Sequence, residues 1–516
     1  MRLTVSAAPI HVARRRAVIG IAGAAFIAFV LRLPFVWAGI GPDEGGYAFI
    51  AHQWANGVGL YHGVWVDRPQ GLIVLYRLIT DVAYQTWAIR AAAVLAGVTL
   101  TLLVAAIGWM LRGPATGAVA ALVFAVVGVG PHIEGFTMNS ELAAAVPAAA
   151  AVACAVRWRV VSRPRWLVGA GAFGAGAVLM KQSGFDGLAM ALAIPLLTTA
   201  PLRDRLRSAG FALAGAVVPI ALAALHGLSL GWGHYSFAMY GWRAHEELGK
   251  TLGKRVDFFL GEMPRIGPDL LGISLVALIG LAVCLLLRRG LLWVIPLWFL
   301  VGFVAINVGG WYWPHYFVQV VAPLALLAAV AVTAVEGRSR ALAVALLCGA
   351  VVPVAVNLAH LALTSDTGRL DGVPYKRGFG IDRRIARFIR EHSTPQDTIY
   401  ALASRADLYF LARRRPPIPY LWAHSPLQRK SVKRALLDQF AAPGGPKFIV
   451  ESRSSKSLDK SGRAERILRE RYRFVWRPGG GGGKKTPAVL IARDASLSPA
   501  STYTTQRPLV ATPGTN

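Results

Sequence analysis

The stretch Gly39–Gly57, GIGPDEGGYAFIAHQWANG, follows the first long apolar segment and begins with two adjacent carboxylates, Asp43 and Glu44. Ionised groups at the edge of a bilayer are costly and are usually functional. A helix cap explains one of them, because Asp43 follows Pro42 and precedes a helical pattern, but it does not explain two. Apolar and aromatic residues then recur at helical spacing, at Tyr47, Ile50 and Trp54. The pattern predicts an amphipathic helix lying in the membrane interface, with functional acids at its start.

The composition is that of an integral membrane protein. Of the 516 residues, 55% are hydrophobic and 16% are charged, whereas soluble domains contain about 25% charged residues. The net charge of +29 does not indicate a nucleic-acid partner, because the basic residues separate apolar segments and do not form one binding face. The three cysteines lie inside apolar segments and form no metal or redox motif.

Apolar segments of membrane-spanning length recur along the first two thirds of the chain. A hydrocarbon core of about 30 Å requires roughly 20 apolar residues per helix. The sequence predicts about 11 such spans, near residues 17–38, 87–110, 114–130, 140–157, 165–181, 185–200, 209–230, 269–287, 290–308, 316–335 and 340–362. We therefore predict a polytopic α-helical membrane protein, with a transmembrane domain at 1–363 and interfacial helices in a first outer loop at 41–86.

The loops between these spans differ in charge. One side carries sixteen basic residues and two acidic ones, Asp204 and Glu336. The basic residues are Arg2, Arg14, Arg15, Arg16, Arg112, Arg157, Arg159, Arg163, Arg165, Arg203, Arg205, Arg207, Arg288, Arg289, Arg338 and Arg340. The positive-inside rule assigns this side to the cytoplasm. The other side carries the long loops and nearly all the acids, so we expect the working face to be extracytoplasmic, in a multi-pass protein of the cell membrane.

The region at 364–494 has a different pattern. Helix-like segments (IDRRIARFIREH, SVKRALLDQF, RAERILRER) alternate with strand-like ones (DTIYALA, PKFIVES, YRFVW, AVLIAR). This alternation predicts a small α/β domain, and an odd number of spans places it outside the cytoplasm. Residues 495–516 are rich in Ser, Thr and Pro, which predicts a disordered tail.

The first outer loop carries a resemblance to a known superfamily. An Asp-Glu pair soon after the first span, two interfacial helices and the element Arg68–Leu72 (RPQGL) resemble the GT-C glycosyltransferases. The protein O-mannosyltransferase and lipid A aminoarabinose transferase branch is the most similar. That branch usually has Lys-Pro-Pro-Leu at this element, so RPQGL keeps the positive charge but departs from the motif.

Two further positions match the superfamily in order and sidedness. Glu141 lies at the outer mouth of the fourth span, where the resemblance implies a second acidic site; an ordinary cap, with Ser140 before it, is the alternative. Lys181, in MKQSGF, lies at the outer junction of the fifth and sixth spans. The resemblance implies that Lys181 binds the phosphate of a lipid donor, and snorkelling to headgroups is the alternative.

The tenth span supplies the remaining candidates. His315 and Tyr316, in WYWPHYF, lie at its outer start, where the resemblance implies that they face the donor phosphate together with Arg68. An aromatic belt accounts for the tryptophans of this motif but less well for His315.

The resemblance implies a glycosyltransferase that uses a polyprenyl-phosphate sugar, since nucleotide sugars are absent outside the cytoplasm. Asp43 would act as general base on the hydroxyl of an acceptor glycan, lipid or protein, with Glu44 as a second catalytic candidate and with inversion at the anomeric carbon of a hexose or pentose. Asp43, Glu44 and Glu141 would alternatively hold a divalent cation, and the sequence leaves metal dependence open. A transporter or scaffold for polyprenyl-linked lipids, or a phosphotransferase on a lipid or cell-wall acceptor, are the other candidate functions.

The charge pattern of the loops generates a topology prediction. In a variant lacking the native cysteines, a cysteine at Ser404 should react with a membrane-impermeant maleimide added outside the cell. A cysteine at Ser162, in a basic loop, should react only after permeabilisation. Labelling of position 162 without labelling of position 404 would reverse the predicted orientation.

Overall fold

A computed structural model describes residues 8–242, 244, 251–287, 290–364, 379–402, 404–423, 427, 429–478 and 487–497. The chain divides into two compact units, Met1–Gly380 and Ile381–Asn516. The predicted tail lies outside the described residues from position 498 onward.

The first unit is helical. Its helices are α1 (Ala8–Val36), α2 (Pro42–Ala55), α3 (Gln70–Val82), α4 (Thr86–Arg112), α5 (Pro114–Val127), α6 (Ser140–Val161), α7 (Arg165–Met180), α8 (Asp186–Leu196), α9 (Leu202–Ser229), α10 (Trp232–Ser236), α11 (Leu252–Leu287), α12 (Val294–Gly309), α13 (Val318–Val335) and α14 (Arg340–Thr364). A π-helical turn, Phe237–Gly241, follows α10, and a 3-10 turn, Pro314–Phe317, precedes α13.

Seven of the described helices are long and apolar enough to cross a membrane. These segments are His11–Val36, Thr86–Arg112, Ser140–Val161, Leu202–Ser229, Leu252–Leu287, Pro314–Val335 and Arg340–Leu363. Shorter apolar helices occur at Pro114–Val127, Arg165–Met180, Asp186–Leu196 and Val294–Gly309. These segments follow the predicted order of spans, while the number of membrane crossings stays a prediction. The largest difference is in α11, which begins at Leu252, well before the predicted 269.

The first outer loop forms two helices, but α2 is not the amphipathic surface helix that the spacing predicted. Every residue from Glu44 to Ala51 is buried, because α3 packs along α2 and Tyr47 meets the ring of Tyr76 edge-on at 5.5 Å. Helix α3 does have the expected character. Its inner side is buried, and an apolar stripe is exposed at Val74, Leu78 and Val82, which is the arrangement of an interfacial helix.

Glycines allow α7 and α9 to approach closely. A Cβ atom on Gly171 would lie 1.7 Å from the carbonyl oxygen of Ala212, and one on Gly215 would lie 1.9 Å from that of Val168. Small residues at a helix crossing are the usual means by which membrane helices pack without a hydrophobic driving force. The contact fixes α7, whose C-terminal end carries Lys181.

The second unit is an α/β fold. Its elements are α15 (Phe379–Glu391), β1 (Ile399–Ala401), α16 (Asp407–Ala412), α17 (Lys430–Ala441), β2 (Phe448–Glu451), a 3-10 turn (Ser455–Ser457), α18 (Arg463–Arg471), β3 (Tyr472–Trp476) and β4 (Ala488–Ala492). The sheet order is β1-β2-β4-β3. β1 and β2 are parallel, in register at Ile399 and Phe448, and the other pairs are antiparallel. The apolar faces of α17 and α18 pack into its core, around Leu436, Phe440 and Leu468.

Candidate active site

The two adjacent acids at the start of α2 have different environments. Gly41 occupies the N-cap position and Pro42 the first turn, so Asp43 is not the cap. Glu44, three residues after the cap, accepts a hydrogen bond from the Gly41 amide at 3.1 Å. In a capping box, this is the bond from the glutamate side chain back to the amide of the cap residue. The Asp43 side chain stays about one-third exposed, at 32%.

Glu44 is part of a buried ion pair. Its Oε1 atom lies 2.9 Å from the Arg90 guanidinium and accepts the Met138 amide at 2.9 Å. Both charged side chains are essentially inaccessible to solvent. Arg90 also donates to the carbonyl oxygens of Gly39 and Phe136, at 2.5 and 3.2 Å. In this geometry Glu44 holds α2, α4 and the loop before α6 together, and its oxygens face Arg90 and the backbone instead of Asp43.

Glu141 and Lys181 form a second buried pair. The Lys181 ammonium donates to Glu141 Oε1 at 2.6 Å and lies 3.8 Å from the ring centroid of Tyr316. Ser140 donates to the other Glu141 oxygen at 3.0 Å. The N-cap position of α6 is Asn139 and not Ser140, so the capping alternative for Ser140 is not realised. Lys181 lies at 7% exposure, which disfavours snorkelling to headgroups in this conformation.

His315 lies among three carboxylates. Its Nδ1 atom is 3.2 Å from Glu134, and its Nε2 atom is 3.9 Å from Asp43 and 3.8 Å from Glu141. The 3-10 turn Pro314–Phe317 places this ring and that of Tyr316 side by side, 5.3 Å apart.

Arg68 completes the cluster from the first outer loop. It pairs with Asp67 at 2.8 Å, and its carbonyl oxygen accepts the Tyr61 hydroxyl at 3.0 Å. Burial alone would lower the pKa of Arg68, but the nearby Asp67, together with Tyr47, Tyr316 and Glu141, raises this pKa well above its ordinary value. The guanidinium is therefore charged and lies within electrostatic range of the other site residues.

The structure brings six of the seven predicted site residues together. The cluster contains Asp43, Arg68, Glu141, Lys181, His315 and Tyr316. Glu44 faces Arg90 instead. Three further residues were not predicted, namely Tyr47, Asp67 and Glu134, which lie among these charges. Asp67 directly precedes Arg68 in an outer loop, and that adjacency was a usable signal. Tyr47 was predicted only as part of an apolar helix face, and Glu134 shows no spacing that singles it out.

The proposed metal-binding alternative does not fit the residues present. Within the described ranges, no group of three or more His, Cys, Asp or Glu side chains is arranged to hold a metal ion. Of the candidate ligands, Glu44 is bonded to Arg90 and backbone amides, and Glu141 is bonded to Lys181 and Ser140. A divalent cation would have to displace these donors, so we derive no step through a metal.

Comparisons with known proteins support the superfamily resemblance. The family model for dolichyl-phosphate-mannose-protein mannosyltransferases matches residues 67–227. The structure resembles ArnT from Cupriavidus metallidurans bound to undecaprenyl phosphate, with TM-score 0.60 and 17% identity over 94% of this chain and 99% of that one. It also resembles the Archaeoglobus fulgidus oligosaccharyltransferase tethered to an acceptor peptide, with TM-score 0.54 and 14% identity. This match covers 90% of this chain and 73% of that one. Among curated proteins, no sequence matches.

These matches confirm the predicted fold class. The described helices follow the architecture of these two solved structures, which have the GT-C fold, over most of the chain. The protein is therefore a multi-pass membrane protein with the GT-C fold.

The two acids of α2 should respond differently to substitution. Glu44→Ala leaves the Arg90 charge buried without its carboxylate, and breaking a buried pair costs about 3–5 kcal/mol. We expect a large fall in the apparent melting temperature, measured by tryptophan fluorescence in detergent. Asp81→Ala is the matched control, because Asp81 and Arg77 form an exposed ion pair with a separation of 3.9 Å. A surface pair of this kind contributes about 0–1 kcal/mol. Similar melting temperatures for the two variants would contradict the structural role of Glu44.

Proposed function

We propose that this protein is a glycosyltransferase that moves a hexose or pentose from a polyprenyl-phosphate donor to an acceptor hydroxyl on the extracytoplasmic side. The observation that carries the proposal is the convergence of an accessible carboxylate, Asp43, with the basic side chains Arg68, Lys181 and His315 in one cluster. The fold supports it, since structural relatives were solved with undecaprenyl phosphate and with dolichol phosphate. The match to a mannosyltransferase family makes mannose the first sugar to test.

The proposed reaction is a single displacement at the anomeric carbon. The acceptor oxygen forms a bond to this carbon as the bond from the carbon to the phosphate oxygen breaks. The electron pair of the broken bond leaves with the polyprenyl phosphate. Asp43, as general base, takes the proton of the acceptor hydroxyl. One such displacement inverts the configuration of the sugar.

The cations are suited to the leaving group. Negative charge grows on the phosphate as the bond breaks, and preorganised donors stabilise it most in a site shielded from water. Lys181 and His315 are both largely buried, and Tyr316 supports the lysine with its ring face. The three cations already have carboxylate neighbours, namely Glu141, Glu134 and Asp67. A bound phosphate would therefore contact Arg68, Lys181 and His315 while these acids also contact them. Asp43, the most accessible acid of the cluster, would face the acceptor.

Asp43→Asn tests the general base. The amide cannot take a proton, keeps the size of the side chain, and weakens a helix-dipole interaction of about 0.3–1 kcal/mol and the 3.9 Å contact with His315. We expect no transfer and an unchanged melting temperature. The assay incubates the full chain with polyprenyl-phosphate mannose, and then with glucose and arabinose donors, and a membrane fraction as acceptor source. Released polyprenyl phosphate is measured by mass spectrometry. Asp81→Asn, at an exposed position, is the control, and full transfer by Asp43→Asn would exclude the proposed base.

Lys181→Ala tests the phosphate contact. We expect kcat/KM for the lipid donor to fall by about 2–4 kcal/mol of transition-state stabilisation, the range for a single oxyanion donor. Because Lys181 also pairs with Glu141, the substitution must be repeated in a Glu141→Gln background, where no buried carboxylate is left behind. A phosphate contact predicts a loss in both backgrounds. A loss confined to the wild-type background would mean that Lys181 serves only to neutralise Glu141.

A further inference from the structure

The loop that connects α5 to α6, Gly128–Asn139, is not helical and is almost entirely buried. Buried backbone amides and carbonyls are nearly always hydrogen-bonded, because leaving one unpaired is costly. Ionised side chains from separate helices supply such hydrogen bonds here. Arg32 of α1 donates to the Gly128 carbonyl at 2.7 Å. Asp269 of α11 accepts the amides of His132 and Ile133 at 2.6 and 3.0 Å.

The opposite end of the loop is bonded in the same way. Arg90 donates to the Phe136 carbonyl and Glu44 accepts the Met138 amide, while the Tyr76 hydroxyl donates to the Met138 carbonyl at 2.5 Å. The loop is therefore a rigid element, fixed by buried groups of α1, α2, α3, α4 and α11.

Glu134 lies at the centre of this loop in an unusual conformation. Its φ angle is +56°, in the left-handed region, which costs a residue other than glycine roughly 1–2 kcal/mol. Its carbonyl oxygen accepts the Thr137 hydroxyl at 2.8 Å. Strained backbone persists where the surroundings determine it and clusters at functional sites. This conformation carries the Glu134 carboxylate to within 3.2 Å of His315 Nδ1, with the glutamate side chain only 3% exposed.

We propose that Glu134 is the positioning residue for His315, which it holds with Nε2 facing the space between Asp43 and Glu141. A carboxylate at one ring nitrogen fixes the orientation of a histidine. With Nδ1 held by Glu134, the other nitrogen is the one presented to Asp43 at 3.9 Å and to Glu141 at 3.8 Å. This inference rests on the proposed function, in which His315 stabilises the leaving phosphate.

The test is a double-mutant cycle on the full chain in detergent, with polyprenyl-phosphate mannose as the first donor. Losing the partner that orients a metal-bound histidine costs about 10–100-fold in activity or metal affinity, and Glu134 contacts His315 through one ring nitrogen in the same way. We expect Glu134→Ala to lower kcat by such a factor, with a much smaller change in KM for the donor. Glu134→Gln keeps an oxygen that accepts from Nδ1 and should recover part of the rate. In a His315→Ala background, Glu134→Ala should cause no further loss, because coupled residues are not additive.

Tyr76→Phe is the matched control. It removes the hydrogen bond to the Met138 carbonyl at the end of the same loop without changing Glu134, so its effect on rate should be the same with and without His315. If Glu134→Ala behaves like this control, with equal losses in both backgrounds, Glu134 only supports the loop and the inference is overturned. A wild-type chain that transfers no sugar from any donor tested would instead overturn the proposed function, and this inference with it. The two failures are therefore distinguishable.

Discussion

The buried ion pair between Glu44 and Arg90 is the contact on which the site depends. Two charges removed from water are retained only when they are paired and hydrogen-bonded, and here each also bonds backbone groups of the loop before α6. The pair consequently fixes three elements at once, namely the start of α2, the start of α4 and the loop. Asp43 is covalently next to this fixed point, so its position relative to His315 is set by a contact in which it takes no part.

The same requirement for pairing explains the composition of the cluster. Each basic side chain has a carboxylate within 3.2 Å, in the pairs Arg68 with Asp67, Lys181 with Glu141, and His315 with Glu134. Without a bound anion, these acids compensate the cations in a medium of low dielectric constant. A phosphate entering this network would have to compete with carboxylates that are already in place. Under the proposed function, donor affinity is thus the difference between the contacts of the basic side chains with the phosphate and their contacts with the carboxylates. The negative charge that grows in the transition state strengthens only the contacts with the phosphate.

The sequence predicted the features that depend on a local residue pattern. It did not predict those that depend on a contact with a residue far away in the chain. The lengths of the apolar segments located the helices, because a helix that crosses the hydrocarbon core needs a similar number of apolar residues wherever it occurs in the chain. The start of α11 was missed because residues 252–268 are more polar and include Pro264. The prediction that α2 lies in the membrane interface was wrong, because α3 packs along α2 and residues Glu44 to Ala51 are buried. The role of Glu44 was not visible because Arg90 is far away in sequence and looks like an ordinary residue at the start of a span.

The adjacency of two carboxylates at the edge of the bilayer has a geometric reason. Successive residues of an α-helix point about 100° apart, so two neighbouring side chains at a helix start necessarily face different surroundings. Glu44 faces Arg90 and is fully buried, whereas Asp43 stays one-third exposed near His315. The helix start thus separates an anchoring acid, Glu44, from Asp43, the acid that we propose as general base. A single acid would not serve for both, since the hydrogen bonds that anchor a carboxylate stabilise its charge and lower its basicity. The position of Asp43 near His315 therefore depends on the contact by which Glu44 holds the helix start.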